Sequence, residues 1–509
     1  MLFDDLTRRI DVVPDSLWTL LYLLWVVGGT TFLLLRRQRP ATTLAWLLAF
    51  WSLPIVGAVG YFLLGPRRLD DQSELRQGAR RVAARAIPKP AETLPERFVE
   101  ESPFAALARV PRAGGDVEPE PKRAAALELY EDGDEAYPAI LAAIGEARET
   151  LHIEYYIWQP DVSGTRFRDA AVERARAGVR VRVLVDALGA KSCRDAFWRP
   201  LRDAGGEVRS FNPPHLFKPQ PGKLNFRTHR KIVVIDAKRA FTGGINVSDN
   251  NRGDTDAPPW RSTHLRIDGA PALDLQAIFL EDWLYGLSID EIERGKRDAV
   301  ELLPGTDSEP ELPDDIERWF PETEEANEGP WVQIVDSGPD EKNDDIHLLF
   351  FSAIVAARER LWITTPYFVP DAPIESALES AAARGVDVRL VLPEAGDSKL
   401  VDAAAATYSR DVAEKGARIS LYEPRMNHSK VMIVDDALAI VGTANMDNRS
   451  FRLNFEVVAA LHDRDVVARL AAMFERDLEH SRDFAPERES LTLAERLLEN
   501  SARLLSPLL

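Results

Sequence analysis

Thr228-His229-Arg230-Lys231-Ile232-Val233-Val234-Ile235-Asp236 and Asn427-His428-Ser429-Lys430-Val431-Met432-Ile433-Val434-Asp435 share one pattern, and that pattern decides the fold. Each is His-x-Lys, then four apolar residues, then Asp. In an extended strand, residues two apart share a face, so His and Lys project together. The apolar run suits a buried central strand. A second strand-like stretch follows each, ending in Asn246 and Asn445.

Working outward, the flanking sequence is also duplicated. Leu151–Trp158 and Leu361–Val369 are strand-like and follow helix-like stretches. Gly178 and Gly385 end helix-like runs that lead into VRVRVLVD and VDVRLVLP. AGGEVRSFNP (204–213) matches KGARISLYEP (415–424). Helix and strand alternation predicts α/β lobes with mainly central sheets. The repeat offset of roughly 200 residues predicts a duplicated domain related by pseudo-twofold symmetry. We expect lobes at 123–284 and 331–485, a connector at 69–122, an acidic Pro-rich solvated segment at 285–330 and a helical tail at 486–509.

The His-x-Lys pairs suit displacement at the phosphorus of a diester. Lys231 and Lys430 can neutralise charge in the transition state. One imidazole can attack phosphorus and the other can protonate the leaving oxygen, since a histidine titrates near neutrality. Asn246 and Asn445 can donate to phosphate oxygens. Asp236 and Asp435 complete the motifs and are grouped with the catalytic histidines and lysines as members of the constellation. An Asp ending a strand is often a turn residue, so their expected role is structural rather than chemical.

The 509 residues carry a net charge of −19, unevenly distributed. Residues 1–68 hold seven Arg and four Asp, a net of +3, leaving −22 on the rest. Such acidity argues against a nucleic-acid partner. The single cysteine, Cys193, excludes an internal disulfide framework. Leu17–Leu35 and Ala41–Gly65 are uncharged runs, each long enough to cross a hydrocarbon core of about 30 Å. Two transmembrane helices are therefore expected, with Pro54 tolerated in the second. Arginines 67, 68, 76, 80, 81 and 85 favour cytoplasmic termini, while Arg36, Arg37 and Arg39 in the short loop oppose that orientation. The loop at 213–227 mixes Leu216 and Phe217 with Lys218 and Lys223, and is a candidate to dip into lipid headgroups beside the site.

With its two His-x-Lys-x4-Asp motifs, the chain resembles the phospholipase D superfamily, and it looks most like the bacterial cardiolipin synthases. Val332–Asp340, Thr365–Asp371 and Asn445–Glu456 carry the closer likeness. The resemblance implies a multi-pass enzyme of the bacterial inner membrane that needs no metal or cofactor. One phosphatidylglycerol would phosphatidylate a histidine and release glycerol, and a second would accept the group. It implies His229 as nucleophile and His428 as general acid and base, the swapped assignment being close behind. Lys231, Lys430, Asn246 and Asn445 would hold phosphate. Glu456 would orient a histidine, with His264 as its repeat counterpart. This chain has Ser262 where the family more often has Asp, and Asn427 where an apolar residue is usual. The motifs leave open a phospholipase D hydrolase or another phosphatidyltransferase. A nuclease and a non-enzymatic membrane scaffold fit less well.

Overall fold

The computed structural model describes residues 15–35, 40–64, 94–111, 119–213, 226–253, 258–293, 316–321, 326–339, 344–485, 492–504 and 506. The chain divides into an N-terminal unit of apolar helices and a large α/β body.

The body is built on one continuous sheet. Its first half contains β1 (Lys122–Asp132), β2 (Thr150–Tyr155), β3 (Arg180–Asp186), β4 (Glu207–Phe211), β5 (Arg227–Thr228), β6 (Lys231–Ile235), β7 (Arg239–Gly243) and β8 (Arg261–Gly269). The second half contains β9 (Trp331–Ser337), β10 (Arg360–Thr364), β12 (Asp387–Pro393), β13 (Arg418–Tyr422), β14 (Val431–Val434), β15 (Leu438–Gly442), β17 (Asn454–His462) and β18 (Ser481–Asp483), while β11 (Phe368–Val369) and β16 (Met446–Asp447) pair in a separate two-stranded sheet. Strand order in one half is β1-β8-β7-β6-β2-β3-β4, and in the other it is β9-β17-β15-β14-β10-β12-β13. The two orders correspond strand for strand, as a duplicated lobe requires. The halves join where β1 pairs antiparallel with β9, at Lys122–Val332 and Arg123–Trp331.

The motif strands β6 and β14 lie inside this sheet, and their four-residue apolar runs are buried on both faces. Ile232 and Val234 enter a core shared by the two lobes, together with Val431 and Ile433. Val233 and Ile235 face a core covered by the helices Gly133–Glu146 and Val162–Arg176. Met432 and Val434 face the equivalent core under the helices Asp345–Ala356 and Ala372–Ala383. Strand periodicity thus fixes which residues can leave the sheet at its end, where the histidines sit.

Part of the segment expected to be solvated is packed. The helix Pro271–Glu293 runs past residue 284, and Tyr285 and Trp319 are buried in the first lobe. Trp319 lies against His152, with ring centroids 4.1 Å apart. The tail contains a helix, Leu493–Leu504, tied to the second lobe by Arg410 and Glu499 at 2.6 and 2.7 Å. Residues 214–225 lie outside the described residues, and with them most of the proposed headgroup loop.

The N-terminal unit contains α1 (Asp15–Leu35), α2 (Pro40–Ser52) and α3 (Pro54–Leu64). Among the described residues, only Ser16–Leu35 forms a helix long and apolar enough to cross a membrane. The expected second span is corrected here: it is two helices that fold back on each other. Trp46 and Tyr61 have ring centroids 5.1 Å apart, whereas a straight helix would separate them by about 22 Å. Pro54 breaks the hydrogen-bond ladder at the bend.

Candidate active site

Each histidine is delivered by the other lobe. Just before the first motif, β5 pairs parallel with β17 of the second lobe, and the His229 amide donates to Phe455 O at 2.8 Å. Before the second motif, Asn427 bridges Arg261 of the first lobe, and the His428 amide donates to Arg261 O at 2.6 Å. This reciprocal crossing brings both motifs to one site. Lys430, Lys231 and His229 all act electrostatically on His428.

The backbones are symmetric at this point but the side chains are not. His229 Nδ1 lies 2.9 Å from both carboxylate oxygens of Glu456. Thr443 Oγ1 donates to Glu456 Oε2 at 2.6 Å, and Asn454 Nδ2 to Oε1 at 3.3 Å. In the other half, His428 Nδ1 faces only a backbone carbonyl, Gly244 O, at 3.1 Å. The hydrogen bonds to Phe455 and Arg261 align Glu456 with Ser262, two residues before His264. Gly244 in turn occupies the position of Thr443. A Cβ on Gly244 would lie 2.5 Å from Ser262 Oγ and 2.9 Å from His428 O, so glycine is what lets that carbonyl approach. Ser262 Oγ donates to His428 O at 3.3 Å. The symmetric expectation for His264 is corrected accordingly. It is fully buried, contacts neither motif histidine by hydrogen bond, and neither ring nitrogen has a partner among the described residues.

Electrostatics follow from this geometry. Burial opposes ionisation of Glu456, but His229, Lys231 and Thr443 outweigh it and hold the carboxyl at about 2. Burial pushes His229 down to about 4, against the pull of Glu456. Burial and the two lysines push His428 well below its ordinary value. Burial lowers Lys231 to about 7, and burial with Lys231 lowers Lys430 well below the usual lysine range. Two lysines crowded around the single ionised carboxylate of Glu456 leave a site suited to receive a further anion. Lys231 Nζ donates to His229 O at 2.6 Å, and Lys430 Nζ to His428 O at 2.7 Å, leaving donors on each ammonium for a ligand. A neutral His229 that gives its Nδ1 proton to Glu456 presents a free Nε2 lone pair.

Asn445 Oδ1 is buried without a hydrogen-bond partner among the described residues. Asn246 Oδ1 accepts only a long 3.4 Å bond from the Ile157 amide. Each asparagine thus keeps an amide oxygen able to accept from a ligand hydroxyl, whereas donation to a phosphate oxygen would come from its Nδ2.

Asp236 and Asp435 play no part in this constellation. Both adopt positive φ, 50° in each case, at the far ends of their strands. Asp236 accepts from the amides of Arg148, Glu149 and Thr150, and Asp435 from those of Arg358, Glu359 and Arg360. Their grouping with the catalytic histidines is corrected: they clamp the turn that precedes β2 or β10.

Several neighbours carried no signal in the sequence. Tyr156 packs edge-on to His229 at 5.0 Å, and Trp260 tilts against His428 at 5.4 Å. Arg230, fully buried, bonds Asp282 and Asp336 at 2.5 Å each and Glu456 O at 3.2 Å. Asn427 is explained by Asp477, whose carboxylate it meets at 3.3 Å beside Arg261 at 2.8 Å. Only spatial pairing of β5 with β17 could have revealed Thr443 as a partner of the first motif.

Comparison with known proteins agrees with this architecture. A family model described as "Cardiolipin synthase, PLD-like domain" matches residues 140–256 and 350–478. Cardiolipin synthase 1 of Bacillus anthracis is 35% identical, covering 97% of this chain and 95% of its own. Cardiolipin synthase of Geobacillus kaustophilus (strain HTA426) is 37% identical, covering 93% of this chain and 90% of its own. Among solved structures, a phosphatidylserine synthase from Haemophilus influenzae Rd KW20 superposes with a TM-score of 0.60 at 16% identity, over 79% of this chain and 100% of its own. That likeness shows a shared fold. With full-length relatives at this identity and two matched domains that each contain one His-x-Lys motif, the chain belongs to the cardiolipin synthase family.

Proposed function

We propose that this enzyme makes cardiolipin by transferring a phosphatidyl group from one phosphatidylglycerol to another through a phospho-histidine. His229 Nε2 attacks phosphorus, and the bond from phosphorus to the glycerol oxygen breaks. His428, protonated on both nitrogens when the anionic phosphate is bound, gives its Nε2 proton to that oxygen, and glycerol leaves. The terminal hydroxyl of a second phosphatidylglycerol then returns a proton to His428 as its oxygen attacks phosphorus, and the P–N bond breaks. Lys231 and Lys430, with Asn246 and Asn445, hold the phosphate oxygens and stabilise the charge that develops on them.

The observation that carries the assignment is the unequal backing of the two imidazoles. A carboxylate behind His229 strengthens it as a nucleophile and stabilises the phospho-imidazolium it becomes. A neutral carbonyl behind His428 leaves its imidazolium a stronger acid, suited to a departing alkoxide. We further place the catalytic body on the cytoplasmic side of the bacterial inner membrane, on the grounds of the flanking arginines.

The test is to incubate the purified protein with phosphatidylglycerol vesicles and measure cardiolipin and free glycerol in equal amounts. His229→Ala and His428→Ala abolish both products. Phosphatidic acid as the sole lipid product would mean that water is the acceptor and that the synthase reading is wrong.

A further inference from the structure

We propose that the N-terminal unit crosses the bilayer once, with α2 and α3 forming a re-entrant hairpin that enters and leaves from the cytoplasmic side. This goes beyond the catalytic chemistry and stands independently of it. A span of about 30 Å needs about 20 helical residues. The 21 residues of α1 suffice, whereas the 13 of α2 and 11 of α3 do not.

Contacts with α1 report the depth of the hairpin. At its base, Tyr61 meets Phe32, with centroids 5.7 Å apart. Toward its tip, Phe50 stacks on Trp25 at 5.5 Å. The tip therefore reaches the middle of α1 and turns back. The turn is provided for chemically. Pro54 has no N–H to give to Phe50 O, and the Trp25 indole donates to that carbonyl instead at 3.0 Å. The bend also strands Trp51 O, which the Tyr22 hydroxyl satisfies at 2.8 Å. Bare carbonyls in hydrocarbon are strongly unfavourable, so two polar donors placed on an otherwise apolar helix mark a built bend. Close packing completes it: a Cβ on Gly57 would run into the Ala49 carbonyl.

The charge pattern then falls into place. With one crossing, Arg36, Arg37 and Arg39 share a side with Arg67 and Arg68, and the positive-inside rule puts that side in the cytoplasm. In the proposed topology the segment before α1 lies outside, where its Asp4, Asp5 and Asp11 outnumber Arg8 and Arg9. Two full spans would instead split the arginines across the membrane.

The test is cysteine accessibility in the full-length protein carrying Cys193→Ser, with single cysteines at Thr7, Gln38, Ser52 or Gln72 and retained cardiolipin formation as the folding control. A membrane-impermeant maleimide should label Thr7→Cys in intact spheroplasts. It should label Gln38→Cys and Gln72→Cys only after the membrane is opened, and Ser52→Cys only in denaturing detergent. Any other pattern overturns the proposal. In particular, Gln38→Cys and Gln72→Cys on opposite sides would establish two spans. Because labelling does not depend on the reaction catalysed, a failed topology leaves the phosphatidyl-transfer reading untouched.

Discussion

Replacing Glu456 with Gln probes the asymmetry between the two histidines. Gln keeps the size of Glu456 and can still accept the Nδ1 proton of His229, so the tautomer survives. Thr443 can turn its hydroxyl to Val457 O, already 3.1 Å away, when an amide replaces its acceptor. What disappears is the charge. A hydrogen bond to an ionised group contributes about 1.5–3 kcal/mol and a neutral one about 0.5–1.5 kcal/mol, so the loss is about 1–2 kcal/mol. At about 1.4 kcal/mol per decade, kcat/KM falls roughly 5- to 30-fold. The pH profile adds a sign. Glu456 raises the pKa of His229, but burial acts more strongly and leaves it at about 4. Removing the charge lowers it further, so the acid limb of kcat/KM moves to lower pH while the plateau drops. The assay is glycerol release from phosphatidylglycerol across pH, with Ser262→Ala as the matched change in the other half. A Glu456→Gln enzyme no slower than Ser262→Ala, or an acid limb moving upward, would refute the reasoning.

Other consequences follow from the same geometry. Asp236→Ala and Asp435→Ala each release three backbone amides and should cost about 1–3 kcal/mol of stability, seen as a lower thermal midpoint with near-normal kcat in the folded fraction. Arg230→Met leaves the carboxylates of Asp282 and Asp336 without their buried cation. It should cost about 3–5 kcal/mol, read as loss of folded protein, and unchanged stability would contradict the network. His264 is held neutral by burial, at about 3 in the folded chain, against about 6.5 when unfolded. A depressed pKa of this kind makes stability fall as pH drops through the window between those values, because only the unfolded chain binds the proton. His264→Leu should therefore flatten that acid slope by up to about 1.4 kcal/mol per pH unit, one proton's worth, without destabilising the protein at pH 8. Denaturant midpoints from pH 4 to 8 measure it.

Much of this was legible from residue order. The duplicated motif, the α/β alternation and the turn role of Asp236 and Asp435 rest on local periodicity and turn chemistry, which are local properties. Three features were not local. The pairing of the two-residue strand β5 with β17 makes Glu456 serve the histidine of the opposite lobe, and no spacing along the chain encodes that. Assigning His264 as the counterpart of Glu456 failed by two residues because both positions lie on the same strand face, and only the hydrogen bonds from His229 and His428 fix the register. Pro54 was acceptable within a membrane helix on composition alone. Its effect became visible only with Tyr22 and Trp25 seated on the freed carbonyls.

The central claim is that His229 carries the phosphatidyl group. It is tested most directly by mixing the enzyme with phosphatidylglycerol labelled in its phosphate, quenching within one turnover under alkaline denaturing conditions, and mapping the label by peptide. The account predicts label on His229, lost in His229→Ala. Label on His428 with His229 unmodified would contradict it.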